Sequence, residues 1–76
     1  MSPSAIGDAI RHARKGMGLR QDELAAAAGV GLRFLVELER GKPTVQLGRT
    51  LAVLAAVGLD LSVVARPTPA DPALSS

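Results

Sequence analysis

The chain has 76 residues with no cysteine, no tryptophan, no tyrosine and one phenylalanine, and 47% of it is apolar. This composition, rich in Ala, Leu and Val, describes one small helical domain, and it excludes disulfides, thiolate metal sites and, with His12 the lone histidine, a histidine-built zinc site. Below roughly 70–80 residues a single core seldom supplies more than about 3–5 kcal/mol, so oligomerisation is expected. The net charge is only +2, but it is unevenly spread. Residues 1–50 hold eight Lys/Arg (11, 14, 15, 20, 33, 40, 42, 49) against five acids (8, 22, 23, 37, 39), whereas residues 51–76 hold Arg66 against Asp60 and Asp71. The basic half is the side on which a polyanion is expected to bind. The uncharged run Thr50–Leu59 is ten residues, half of what a bilayer requires, and MSPSAIGDAI has no basic segment followed by an apolar one. A soluble cytoplasmic protein is expected, with no membrane partner.

Ile6, Ala9, Ile10, Ala13 and Met17 recur at helical spacing and predict a first helix, with Ser4 as its cap, Asp8 in or near its first turn, and Gly16 and Gly18 at its end. Gln21–Ala28 reads as a short second helix. Glu23 stands three residues after Arg20, which supplies only half a capping box because an arginine cannot accept. Gly29 provides a left-handed turn. Gly31–Arg40 resumes helical spacing with Leu35 and Leu38 inward, closing at Gly41-Lys42-Pro43. Thr44 is placed to cap a fourth helix whose expected buried stripe is Leu47, Leu51, Leu54 and Val57, with Gly58 as its stop.

From residue 59 the period changes to two. Leu59, Leu61, Val63 and Ala65 alternate with mostly polar neighbours, as a half-buried strand does. One strand cannot satisfy its own N–H and C=O groups and there is no second candidate in the chain, so pairing with the same strand of a second copy is expected. Residues 67–76, PTPADPALSS, are proline-rich and read as a disordered tail. The expected organisation is a helical domain over 1–58, a dimerisation strand over 59–66 and the tail over 67–76.

The second and third helices make linked demands: small Ala25 and Ala28 under a close crossing, Gly29 in the turn, and Val30, Leu35 and Leu38 on the inner face only. RQDELAAAAGVGLRFLVELERGKP resembles the helix-turn-helix of the phage-repressor (Xre/Cro-type) family over roughly residues 5–58. GKPTVQLGRTLAVLAAVGLDLSVV is similar, more narrowly, to antitoxins of the HipB kind. The resemblance implies an all-α, four- to five-helix lambda-repressor-like domain with one C-terminal strand in an intermolecular two-stranded sheet.

It further implies that the helix from Gly31 enters the major groove of double-stranded DNA. Leu32, Arg33, Val36, Glu37 and Arg40 lie opposite Leu35 and Leu38, and Leu32, Arg33, Val36 and Glu37 are the expected base-facing set. Arg33 is the best reader, since its fork takes guanine O6 and N7 together, and Glu37 can accept from cytosine N4, repel wrong sequences, or pair with Arg33 or Arg40. Leu32 and Val36 can touch only a thymine methyl or a protein partner. Gln21 matches the family's phosphate-contacting glutamine, and Arg20, Arg40, Lys42, Thr44 and Arg49 are the other expected phosphate contacts. Arg14 and Glu39 match a family pair that links the first helix to the reading helix, and are assigned to structure.

Catalysis is not expected: the carboxylates are scattered, there is one histidine, no cysteine, and no phosphate-cradling glycine loop. No cofactor or metal is expected either. The function implied is a homodimeric repressor on a pseudo-palindromic operator, the antitoxin of a HipBA-like operon that neutralises a HipA-like kinase toxin. A stand-alone regulator, or an adaptor that has lost DNA, remains the alternative.

Overall fold

A computed structural model describes residues 2–43 and 46–61. Within them the chain forms four helices, α1 (Pro3–Gly16), α2 (Gln21–Ala28), α3 (Leu32–Glu39) and α4 (Leu47–Ala56). No strand occurs among the described residues, and Val63, Ala65 and the 67–76 tail lie outside them, as does Thr44. No described helix is long and apolar enough to cross a membrane.

The cap of α1 is Ser2, not Ser4: the Ser2 hydroxyl accepts the Ala5 N–H at 3.2 Å, and Pro3 fills the first helical position, where its missing N–H costs nothing. The earlier start moves Asp8 out of the first turn, and its carboxylate instead pairs with Arg11 at 3.2 Å. Two members of the expected stripe are corrected as well. Ala9 is exposed, and Met17 lies beyond the helix and is 54% exposed. The inward face of α1 is Ile6, Gly7, Ile10, Ala13 and Arg14, because α1 crosses α3 so closely that only a glycine fits at position 7. A Cβ there would stand 2.5 Å from the Leu38 carbonyl oxygen.

The expected span of the third helix is one residue too long at each end: Gly31 is the N-cap of α3 and Arg40 its C-cap. In α4, Gln46 is the N-cap, and the expected stripe is rotated. Leu47 and Leu51 are 57% and 41% exposed, while Thr50, Val53, Leu54 and Val57 face inward. Apolar residues surround almost the whole of this helix, so its periodicity admits two stripes, and packing against α2 selects between them. The Thr50 hydroxyl is accommodated by donating to the Gln46 carbonyl at 3.2 Å.

The core is Ile10, Leu24, Ala25, Leu35, Leu38, Val53, Leu54 and Val57, with Val30, Phe34, Leu59 and Leu61 packed at its edge. Each fully buried aliphatic side chain of this kind contributes about 1.5–3 kcal/mol. α1 and α2 both pack on α3, and α4 closes the bundle against α2. This leaves one long side of α3 uncovered.

Candidate nucleic-acid interface

The angle between α2 and α3 is set by two residues. Gly29 adopts φ 70° and ψ 32°, a conformation that a Cβ resists, and Val30 returns its N–H to the Ala25 carbonyl at 3.0 Å to close α2. Glu23 accepts the Arg20 N–H at 2.8 Å at the other end of α2, the half of a capping box that its sequence allows. At the far end of α3, Gly41 turns with φ 84° beneath α1, where a Cβ would lie 2.8 Å from the Ser4 Cα.

A buried polar network fixes α3 against the two helices before it. Arg14 Nε donates to Glu39 Oε2 at 2.7 Å and Nη2 to Oε1 at 3.0 Å, while Nη1 donates to the Leu19 carbonyl at 2.9 Å. Gln21 Nε2 donates to Glu39 Oε1 at 3.2 Å. Arg14 and Glu39 are 8% and 5% exposed, and no buried side-chain nitrogen or oxygen among the described residues lacks a partner. The hydrogen bond and charge of Glu39 raise the Arg14 pKa above its ordinary value against the opposing effect of burial. Gln21 is thus tied to α3 with one amide proton left over. The spacing of the sequence did not show this tie, since its partner lies 18 residues away.

The uncovered side of α3 carries the expected readers. Leu32 is 48% exposed, the Arg33 side chain is 93% exposed, and Val36 and Glu37 are half-buried at the edge of the same surface. Arg20, Arg40, Lys42 and Arg49 are all exposed. Glu37 stands 3.6 Å from Arg33 Nε and 3.3 Å from Lys42 Nζ. Arg20 is paired in turn with Asp22 at 3.1 Å and Glu23 at 3.8 Å. That hydrogen bond to Asp22 raises the Arg20 pKa and holds the Asp22 carboxyl below its ordinary value. The surface combines a planar guanidinium, apolar side chains and the unpaired amides of an α3 N-terminus without a side-chain cap. These are groups that meet base edges and phosphates.

Two fully buried residues, Leu24 and Val53, carry no distinguishing mark in the sequence. Leu24 is masked by the four-alanine run that follows it, and Val53 by the apolar surroundings of α4.

Residues 10–64 match the family model HTH_3, described as helix-turn-helix. A Sinorhizobium fredii protein named "Uncharacterized HTH-type transcriptional regulator y4mF" is 53% identical over 64 residues, covering 84% of this chain and 84% of that protein. The match takes in the α2–Gly29–α3 unit together with the buried face of α1 from Ile10 onward. With this geometry, this family match and this relative, the chain belongs to the Xre/Cro-like helix-turn-helix family.

Proposed function

We propose that the protein is a dimeric, sequence-specific transcriptional repressor that inserts α3 into the major groove of a pseudo-palindromic operator. The observation that carries this reading is the side of α3 left open by the bundle, with Arg33 projecting from it beside Leu32 and the Lys42 loop. The printed name of the Sinorhizobium fredii relative, a transcriptional regulator, supports it. Arg33 reads a guanine edge, Leu32 and Val36 contact thymine methyls, and Gln21, Arg20, Arg40, Lys42, Thr44 and Arg49 hold phosphates.

Dimerisation brings two such helices to half-sites about one turn apart. The two-residue repeat from Leu59 to Ala65 supports a strand shared between copies, and the exposed Leu47 and Leu51 on α4 supply apolar surface for a second copy to cover. The resemblance of residues 41–64 to HipB-like antitoxins supports the finer role: autoregulation of a toxin operon and neutralisation of a HipA-like kinase toxin. The protein is then a cytoplasmic binding protein without enzymatic activity.

Gel shift on the DNA directly upstream of its own reading frame tests the DNA reading. The expected result is a shift that weakens steeply with salt and is lost in the Arg33→Ala/Lys42→Ala double variant. The exposed Leu32 favours the alternative, a protein-interaction adaptor, which gives no shift. The antitoxin role predicts co-purification with a kinase-fold protein encoded in the neighbouring frame, and a native operon that yields no such partner contradicts it.

A further inference from the structure

We infer that Glu37 restrains Arg33 and Lys42 in the free protein and thereby lowers its affinity for random duplex DNA, an inference that rests on the DNA-binding reading above. The two oxygens of one carboxylate are divided between the two cations: Oε1 faces Arg33 Nε at 3.6 Å and Oε2 faces Lys42 Nζ at 3.3 Å. Lys42 is held a second time, since its backbone N–H donates to the Glu37 carbonyl at 3.1 Å. Glu37 thus links the helix that would read bases to the loop that would follow the backbone. Its side chain is 36% exposed, against 93% for Arg33 and 63% for Lys42, so the carboxylate lies beneath cations that project past it.

A phosphate that takes either cation must displace Glu37 and then stand near an unpaired carboxylate of like charge. Random DNA offers phosphates alone in return. A cognate site also offers Arg33 a guanine edge and offers Glu37 a cytosine N4 donor, which replaces the partner it has lost. The restraint therefore falls unequally on the two kinds of DNA, and it acts by repelling wrong sequences. Arg40 and Arg49, exposed and without an ion pair among the described residues, remain as unrestrained phosphate contacts.

The test is fluorescence anisotropy on two labelled duplexes, the upstream DNA of its own frame and a scrambled duplex of equal composition, across a salt series. Glu37→Gln is compared with Asp8→Asn, which removes the same unit of charge from the 3.2 Å Asp8–Arg11 pair on α1. Glu37→Gln is expected to bind the scrambled duplex about three- to tenfold tighter at low salt. Its salt slope should steepen by about 0.9 for each phosphate newly engaged, with a smaller gain on the upstream duplex. Asp8→Asn should match the wild type on both. Glu37→Asp keeps the charge on a shorter stem and should bind the scrambled duplex with an affinity between those of the wild type and Glu37→Gln, which provides a second reading if Glu37→Gln loses helix.

Where the wild type prefers the upstream duplex, equal gains on both duplexes overturn the inference; no gain, a gain matched by Asp8→Asn, or a Glu37→Asp variant as permissive as Glu37→Gln overturns it in either case, and the DNA reading stands. If the wild type shows no preference for the upstream duplex while Glu37→Gln gains on the scrambled one, the restraint is supported and the assignment of that operator falls. If neither protein binds either duplex, both ideas fail.

Discussion

Arg14 and Glu39 are 25 residues apart in sequence and meet as a two-pronged ion pair of 2.7 and 3.0 Å between α1 and α3. Both are buried, so the pair's value lies less in its net attraction than in what happens when one partner is lost. Glu39→Leu leaves the Arg14 charge buried and unpaired, and is expected to cost about 3–5 kcal/mol in urea unfolding followed by circular dichroism. The Arg14→Met/Glu39→Leu double variant should recover most of that loss. A double variant as unstable as the single one would show that the pair contributes net attraction beyond mutual satisfaction.

Gly7 and Gly48 form a matched comparison, as both lie inside helices. A Cβ on Gly7 would meet the Leu38 and Glu39 carbonyl oxygens at 2.5 and 2.7 Å, whereas one on Gly48 would meet nothing within 4 Å. Gly7→Ala should therefore push α1 off α3 and destabilise by about 1–3 kcal/mol, the usual cost of overpacking. Gly48→Ala, in the first turn of α4, should stabilise by up to about 0.5 kcal/mol through helix propensity. Thermal unfolding of the two variants in parallel checks both signs.

The leucines of α4 and α2 should separate folding from assembly. Leu24 is fully buried, so Leu24→Ala is expected to cost about 2–5 kcal/mol. Leu47→Ser/Leu51→Ser alters exposed positions and should leave the helical fold while shifting sedimentation toward the protomer. Unchanged sedimentation would place the dimer contact elsewhere.

Asp22 carries a pH signature. Arg20 Nε donates to its carboxylate at 3.1 Å and lowers its pKa from the ordinary 3.8. A carboxyl depressed in the folded state contributes stability that is present above its unfolded value and is lost as pH falls through the folded one. The pair is exposed, so that contribution is small. Carboxyl NMR titration should show the Asp22 midpoint below 3.8, moving back up in Arg20→Gln, and an unmoved midpoint would remove Arg20 as its cause.

The α2 boundaries, the Gly29 turn and the inward Leu35 and Leu38 were readable in the sequence because backbone geometry and helical period speak for single residues. The meeting of Arg14 with Glu39 was reached only through a family resemblance. Nothing local marks the pair, and by period alone Arg14 falls outside the apolar stripe. The rotated stripe of α4 was illegible for a different reason: with Leu47, Leu51, Val53, Leu54 and Val57 spread around the helix, only the shape of α2 decides which of them enter the core. The division of Glu37 between Arg33 and Lys42 required the Gly41 turn, which brings the loop back onto α3.

In the DNA reading, the open side of α3 is the surface that meets the duplex. Amide chemical-shift mapping during titration with the upstream duplex tests it most directly. Shifts are expected to concentrate on Arg20–Asp22, Leu32–Glu37 and Arg40–Lys42, and to be sparse over the exposed face of α1. Shifts gathered on α1 or on the outer face of α4, with α3 silent, would contradict it.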